Sequence, residues 1–295
     1  MRFAALKVKA KQNGLVRAVL APGILPRRLL WARRARVQNA LLKNLTGLLA
    51  DDPVVRVAEF EGVFRISASS DIFRRLAVNG EYEPEIVRRC LQLLDTDRDF
   101  LDVGANVGFF SVLVARKLRG GRVLAVEPTQ RACERLHENL VRNGVKDKVS
   151  VLQAAIASAS GEIELKTIRG MEEFSSLGVM HHPAIAAEPV VTERVPCMTV
   201  DEAVARHGLR PGMVKVDVEG MEHIVFGGAE ELLGRHRPIV ISELSDYLLR
   251  RNGSSSAQVI ALFERHNYEV VDAADQSVPA GIRDFGDILC MPRRG

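Results

Sequence analysis

The chain has 295 residues, enough for one large or two small domains, and its 47% hydrophobic and 26% charged residues are typical of a globular protein. Its four cysteines are far apart and form no C-x-x-C pair, which excludes that type of zinc or redox motif and favours a reducing, cytoplasmic setting. No apolar run reaches the roughly 18–20 residues that cross a bilayer, so we expect no membrane-spanning helix.

The net charge of +4 is distributed unevenly along the chain. Residues 1–50 contain eleven basic residues and no acidic one, whereas the remaining 245 residues carry 30 basic and 37 acidic residues. Apolar groups such as Val19-Leu20 and Leu29–Trp31 lie among the arginines, which predicts a basic helical N-terminal extension. This extension either contacts an anionic membrane or nucleic acid, or covers the protein body with its charges in solvent. A mitochondrial transit peptide is a third interpretation, disfavoured by the scarcity of serine.

Residues 51–80 predict a hairpin and a helix that precede the main domain, which we assign to residues 81–295. Two runs of strand-forming residues, 54–60 and 63–67, flank the Glu61-Gly62 pair, and that pair is typical of a tight turn. A short helix is then predicted up to residue 78, before the helix that opens the main domain.

The most informative stretch is 100–118, which predicts a buried strand, a glycine turn and a helix. The turn contains Gly104, Ala105, Asn106 and Gly108. A second apolar strand, 122–126, follows and ends in Glu127-Pro128. A glycine turn after one parallel strand and an acid after the next are typical of α/β proteins that bind an adenine nucleoside. The alternative interpretation is a glycine turn that only closes a βα unit.

The turn also indicates which nucleoside is bound. A dinucleotide site has the spacing G-x-G-x-x-G, whereas Gly104 and Gly108 are spaced G-x-x-x-G, and no G-K-[ST] of a P-loop follows. The preceding strand ends in Asp102, whose carboxylate would repel a pyrophosphate but favours a cationic sulfonium with an α-amino group. The sequence therefore favours S-adenosylmethionine over NAD.

Further residues are expected at the same cleft. Glu83 stands just before a helix that has Pro84 in its first turn, so it either reaches the cleft or only favours the helix dipole. A helix over 130–143 leads to a third strand, 149–152. The small residues Ala154 and Ala155 follow this strand and could lie against adenine.

Residues 163–167 predict an inserted strand, and residues 168–194 lack periodicity and predict a loop over the site. Within this loop, His181-His182 could bind a metal or act as a base, although adjacent loop histidines are more often simply exposed.

A second group of acids follows the strand predicted over 214–218. Asp217 and Glu219 come at its end, with Glu222 a turn later, and Glu243 closes the strand predicted over 238–244. Ligands bind at the carboxyl ends of strands in α/β sheets, so these acids should face the cleft of Asp102. One carboxylate there can orient a substrate hydroxyl or remove its proton. Helix capping is the alternative. We predict no metal ligand, and whether a divalent metal joins the carboxylates stays open.

The combination of motifs resembles the FkbM family of methyltransferases. It consists of L-D-V-G-A-N-V-G at 101–108, V-E-P at 126–128, V-P and V-D within 195–201, and V-K-V-D-V-E-G-M-E at 214–222. The resemblance implies a Rossmann-like seven-stranded class I methyltransferase fold and S-adenosylmethionine as methyl donor. It usually implies O-methylation of a hydroxyl on a sugar, glycolipid or secondary metabolite.

By the same resemblance, Asp102, Gly104 and Gly108 would line the methionine part of the cofactor and Glu127 its ribose. Asp217 and Glu219 would face the acceptor. Two other classes stay open, namely a nucleic-acid methyltransferase that docks through residues 1–50 and a non-catalytic scaffold that binds the cofactor. No Asn/Asp-Pro-Pro-Tyr/Phe motif is present and aromatic residues are only 5% of the chain, so we expect no nucleic-acid partner.

Overall fold

A computed structural model describes residues 52–68, 70–168, 190–281 and 286–293 of the chain. The basic extension predicted at 1–50 and the pair His181-His182 lie outside these residues.

The described elements alternate between strands and helices along most of the chain. The strands are β1 (Val54–Val57), β2 (Gly62–Arg65), β3 (Asp99–Val103), β4 (Val123–Val126), β5 (Val149–Leu152), β6 (Ala155–Ile156), β7 (Gly161–Ile168), β8 (Val190–Met198), β9 (Pro211–Val216), β10 (Ile239–Leu244), β11 (Tyr268–Asp272) and β12 (Gly286–Pro292). The helices are α1 (Asp71–Asn79), α2 (Pro84–Leu93), α3 (Phe109–Ala115), α4 (Gln130–Arg142), α5 (Val200–His207), α6 (Glu222–Gly227), α7 (Asp246–Arg251) and α8 (Ser256–Arg265). A 3-10 turn, Lys146–Lys148, and a π-helical turn, Leu232–His236, complete the described elements.

Seven strands form the central sheet in the order β11-β12-β10-β9-β3-β4-β5. Strands β10, β9, β3, β4 and β5 are parallel, and β12 runs antiparallel between β10 and β11. Helices connect the parallel strands, as expected when hydrophobic strands such as β3 and β4 are buried on both faces. The predicted seven-stranded α/β fold is confirmed.

The two faces of this sheet carry separate hydrophobic cores. Alternate residues point to opposite faces of a strand. Phe100 and Met213 therefore belong to the core beneath β1, β2 and α1 to α3, whereas Leu101 and Val214 belong to the core beneath α5, α6 and α8. Asp102 and Lys215 each lie two residues beyond a member of the first core, so their side chains belong to that face.

Several elements differ from the prediction. The bounds of the loop predicted over 168–194 are wrong, because β7 runs to Ile168 and β8 starts at Val190 and pairs antiparallel with β7. The strand predicted over 214–218 ends at Val216, which leaves Asp217 and Glu219 in the connection to α6. Helix α7 was not predicted, and the Ser245 side chain caps it by accepting a hydrogen bond from the Leu248 N–H.

The predicted hairpin forms from β1 and β2 and packs on the main domain. Its turn is longer than predicted, because β1 ends at Val57. Asn139 is fully buried on α4, accepts a hydrogen bond from the Arg65 N–H at 2.8 Å and donates one to the Val107 carbonyl oxygen at 2.9 Å. The hairpin is thereby tied through α4 to the glycine turn.

Candidate active site

The glycine turn between β3 and α3 has the conformation that its residues predict. Gly104 and Gly108 have positive φ angles of 80° and 85°, a region that glycine adopts without strain, and Asn106 has a φ of 50°. The Gly104 and Ala105 N–H groups both donate to the Val126 carbonyl oxygen at 3.0 Å. A Cβ atom at Gly104 would overlap the carbonyl oxygen of Asp217. The turn therefore needs glycine at residue 104 because two connections meet there.

Glu127 follows β4 and is 3% exposed. One carboxylate oxygen accepts a hydrogen bond from the Asn106 N–H at 3.0 Å, and the other accepts from the Thr129 N–H at 3.0 Å and its hydroxyl at 2.8 Å. Burial raises the pKa of Glu127, although these hydrogen bonds oppose the rise. The acid predicted at the second strand end is therefore fixed directly beside the glycine turn.

Asp102 lies in β3 and is 1% exposed. Its carboxylate accepts a hydrogen bond from the Ser111 hydroxyl, at 2.6 Å, on the first turns of α3. Burial raises its pKa, while the Lys215 ammonium and the Ser111 hydrogen bonds oppose the rise. We call Asp102 and Glu127 the turn acids.

The remaining residues predicted to bind cofactor follow the ends of β3, β4 and β5 in the chain. Pro128 is half-buried and separates Glu127 from Thr129, while Ala105, Ala154 and Ala155 are buried. Ala155 opens β6, which pairs with β8 outside the central sheet. The contact of Ala154 and Ala155 with adenine stays a prediction.

The second predicted group of acids comes together across three strands. Carboxylate oxygens of Asp217, Glu219 and Glu243 lie within 4.8 Å of one another, which is close enough for the three to share one cation. Asp287 on β12 lies directly opposite Glu243 on β10. We call these four residues the cluster acids. They occupy the carboxyl ends of β9 and β10 and the adjoining start of β12.

Lys215 joins the cluster acids to the turn acids. Its side chain is 8% exposed, its Nζ lies 2.7 Å from an Asp217 carboxylate oxygen, and it stands 4.5 Å from the centroid of the Phe110 ring. Asp102 is its register partner on β3. Burial alone would lower the pKa of Lys215, but the carboxylates of Asp217, Glu83 and Asp102 raise it above the ordinary value. The lysine is therefore charged at neutral pH.

The cluster acids differ in protonation because they are close together. Burial raises the pKa of Glu243 well above its ordinary value, and Asp217 and Glu219 add to the rise. Burial also raises the pKa of Asp287, to about 7. Burial would raise the pKa of Asp217 too, but the Lys215 ammonium and hydrogen bonds from Lys215 and Glu243 keep it below the ordinary value. Asp217 is therefore ionised at neutral pH, and the Glu243 carboxyl group, whose pKa is raised, donates a hydrogen bond to it.

Glu83 reaches the same face of the sheet from the start of α2. It is the N-cap residue with a left-handed φ of 47° and makes no capping hydrogen bond with its side chain, so capping does not explain it. Its pKa is raised by burial and by Asp217, while Lys215 and a hydrogen bond from the Tyr82 hydroxyl lower it. The structure thus brings Glu83 beside the Lys215–Asp217 pair, and its contact with a cofactor stays a prediction.

Glu222 is the first residue of α6, and its carboxylate closes the turn that precedes this helix. One of its carboxylate oxygens accepts a hydrogen bond from the Gly220 N–H at 3.1 Å, and the other is buried without a partner. Burial raises the pKa of Glu222 to about 7. Glu219, three residues before Glu222, has a left-handed φ of 52°.

Two residues of this arrangement were missed as site residues in the sequence. Lys215 was given no role, although a lysine within a buried strand requires a neighbouring anion and Asp217 is only two residues away. Asp287 carries no local signal, because its position depends on β12 inserting between β10 and β11.

The strand order, the glycine turn after β3 and the acids at adjacent strand ends define a Rossmann-like seven-stranded class I methyltransferase fold. The sequence model of the Methyltransferase FkbM domain matches residues 102–270. The chain therefore belongs to the FkbM methyltransferase family.

The chain is also similar to named relatives. The chain is 34% identical to "Methyltransferase sdnD" of Sordaria araneosa over 40% of this chain and 43% of that protein. It is 28% identical to "AMB antimetabolite synthetase AmbE" of Pseudomonas aeruginosa over 63% of this chain but 10% of that protein. The matched part of the chain thus spans less than half the length of both relatives.

Two further proteins carry the family's own name. The chain is 26% identical to "31-O-demethyl-FK506 methyltransferase FkbM" of Streptomyces tacrolimicus over 59% of this chain and 74% of that protein. Among solved structures, the methyltransferase FkbM of Methylobacillus flagellatus KT is 15% identical, with a TM-score of 0.45, and the comparison covers 87% of this chain and 59% of that chain.

None of the described helices is both long enough and apolar enough to cross a bilayer.

Proposed function

We propose that the protein transfers a methyl group from S-adenosylmethionine to a hydroxyl of a small molecule. The observation that carries this proposal is the meeting of the turn acids and the cluster acids on one face and one end of the sheet. Family membership supports a methyltransferase. The relative named as a 31-O-demethyl-FK506 methyltransferase supports a hydroxyl of a secondary metabolite as the acceptor.

The residues at the glycine turn fit this cofactor. Gly104 has no room for a Cβ because the Asp217 carbonyl oxygen lies there, so the glycine turn packs against the connection that carries Asp217. Glu127 is held by the backbone of the turn, and its proposed role is to accept hydrogen bonds from the ribose hydroxyls. Asp102 would face the cationic amino acid part. When bound, S-adenosylmethionine supplies a methyl group already activated for transfer to an oxygen.

The protein's own contribution is then to orient the acceptor. Lys215 and Glu243 both hydrogen bond to Asp217, which leaves Asp217 ionised and fixed at the half-exposed end of β9. An ionised carboxylate can accept the hydrogen bond of the acceptor hydroxyl and take its proton as the oxygen–carbon bond forms. Alignment supplies most of the remaining rate enhancement.

The cofactor is tested by calorimetric titration with S-adenosylmethionine, its demethylated product and NAD. Wild type should bind the first two and not NAD. Glu127→Gln should weaken binding by about tenfold or more, because a charge-assisted hydrogen bond is lost. Glu134→Gln, an exposed carboxylate on α4, is the matched control and should bind like wild type. Equal binding by Glu127→Gln and wild type would contradict the assignment of Glu127.

The acceptor is tested by screening hydroxylated metabolites, sugars and glycolipids for methylation. With any acceptor found, Asp217→Asn should reduce kcat by about 10²-fold or more, because the proton acceptor is lost, and leave cofactor affinity within a few fold. Loss of cofactor binding with unchanged kcat would overturn the role of Asp217. Contact of residues 1–50 with a membrane stays a prediction.

A further inference from the structure

We propose that Lys215 is a positioning residue, whose ammonium holds Asp217 in place and supplies the positive charge that the cluster acids would otherwise take from a divalent cation. This inference rests on the proposed function for its catalytic consequence. The effect of the Lys215 charge on the cluster acids and on metal binding does not depend on methyl transfer.

The first argument is the confinement of the ammonium. Lys215 lies on β9, between β3 and β10 in the middle of the central sheet, and shares a strand face with Asp217. Its Nζ is held between an Asp217 oxygen at 2.7 Å and the face of the Phe110 ring at 4.5 Å. A charge held between a carboxylate and an aromatic face has few alternative positions. The ammonium therefore fixes the direction of the Asp217 carboxylate.

The second argument is the balance of charge. Lys215 is the only lysine or arginine among the buried residues of the described part of the chain. Carboxyl groups face it from the surrounding elements, namely Glu83 before α2, Asp102 on β3, Asp217 after β9 and Asp287 on β12. The charge of Arg75 on α1 also lowers the pKa values of Glu83 and Asp217. Without Lys215 these acids would need protons or another cation.

The third argument is that Lys215 competes with a metal for Asp217. Carboxylate oxygens of Asp217, Glu219 and Glu243 lie within 4.8 Å of one another, a spacing suited to a hard cation. One Asp217 oxygen is already bonded to the ammonium. A divalent cation that used Asp217 would stand close to a buried positive charge, which disfavours its binding.

The first experiment measures Mn²⁺ binding by calorimetry, without any acceptor or cofactor. Wild type and Lys215→Arg should show no saturable binding below about 1 mM, because the buried cation is present in both. Lys215→Met should bind Mn²⁺ at least about tenfold more tightly, since four carboxyl groups then lack a cation. The gain should disappear in Lys215→Met/Glu219→Gln. Unchanged binding in a folded Lys215→Met protein would overturn the proposal.

If Lys215→Met does not fold, Mn²⁺ binding by the wild-type protein tests the proposal instead. Saturable Mn²⁺ binding by wild type that Glu219→Gln removes would overturn the proposal, because the cluster would then hold a metal beside the lysine. Absence of binding up to millimolar Mn²⁺ would support it.

The second experiment separates positioning from folding once an acceptor is known. Lys215→Met should lower kcat by about ten- to hundredfold, as expected for a lost hydrogen bond to a charged group, with cofactor affinity within a few fold. Lys215→Arg should recover part of the loss. Equal kcat in wild type and Lys215→Met would overturn the positioning role. Failure of cofactor binding in wild type would instead contradict the proposed function and leave the Mn²⁺ result valid.

Discussion

The turn acids and the cluster acids lie at the same end of one sheet but are held by different forces. Asp102 and Glu127 accept hydrogen bonds from uncharged groups close in sequence, such as the Ser111 hydroxyl and the Thr129 N–H. Asp217 is held by the charge of Lys215 and by a shared proton with Glu243. Rigid local hydrogen bonds suit the proposed cofactor, which is the same in every reaction. Asp217 is held by charge, so its protonation can change when the proposed methyl acceptor binds.

Gly104→Ala should be strongly destabilising, because Gly104 lies where the two groups of acids meet. A Cβ there would overlap the Asp217 carbonyl oxygen, and the φ of 80° disfavours alanine. We expect a loss of about 3 kcal/mol or more in the free energy of unfolding, from overpacking and left-handed strain together.

Gly144→Ala is the matched control for this substitution. Its φ is 65° and nothing lies within 4 Å of an added Cβ, so about 1 kcal/mol of backbone strain is expected. Urea denaturation measures both variants. Equal losses would show that the approach of Asp217 to Gly104 is not tight.

Lys215→Met breaks the charge coupling of the cluster acids. Removing one partner of a buried ion pair leaves an uncompensated carboxylate, and about 3–5 kcal/mol of unfolding free energy should be lost. Arg250→Met breaks the Arg250–Asp246 pair, whose arginine is 62% exposed, and should cost under about 1 kcal/mol. The two variants are compared by urea denaturation at pH 7. A cost for Lys215→Met no greater than that for Arg250→Met would contradict the coupling.

Glu222→Gln should change the pH dependence of stability. Burial raises the pKa of Glu222 from 4.5 to about 7, so its carboxyl group favours the folded state below pH 4.5 and this contribution is lost as the pH rises through 7. Between pH 5 and 8 wild type should lose up to about 3 kcal/mol relative to Glu222→Gln, since each pKa unit corresponds to about 1.4 kcal/mol. Urea midpoints at both pH values measure the difference. Parallel pH profiles would contradict it.

Thr129→Val is the mildest change and tests the turn acids. The Thr129 hydroxyl donates to Glu127 at 2.8 Å and does not cap α4, so the substitution removes this hydrogen bond without removing a helix cap. We expect a loss of about 1–2 kcal/mol in unfolding free energy, typical of a hydrogen bond to a charged acceptor. Weaker S-adenosylmethionine binding should accompany it in calorimetry. Unchanged stability and affinity would show that the backbone N–H groups alone fix Glu127.

The same contrast explains what the sequence could predict. The turn acids were predicted because each stands at or just after the end of a strand beside the glycine turn, and their partners Ser111 and Thr129 are close in sequence. Asp217, Glu219 and Glu243 were predicted to face one cleft, and the structure brings their carboxylates together. Asp287 could not be predicted, because its place opposite Glu243 depends on the insertion of β12. Strand ends such as Val216 are set by tertiary packing rather than by residue pattern.

The aromatic packing under the hairpin shows that the segment matched by the family model and the unit that packs together have different limits. The family match begins at residue 102, inside β3, and leaves out the hairpin. Phe60 and Phe64 of the hairpin segment nevertheless lie 5.2 Å and 5.4 Å, centroid to centroid, from Phe109, the first residue of α3. A chain shortened to start at residue 81 would expose that ring beside the glycine turn. The unit that packs together in this protein is thus larger than the segment that the family model matches.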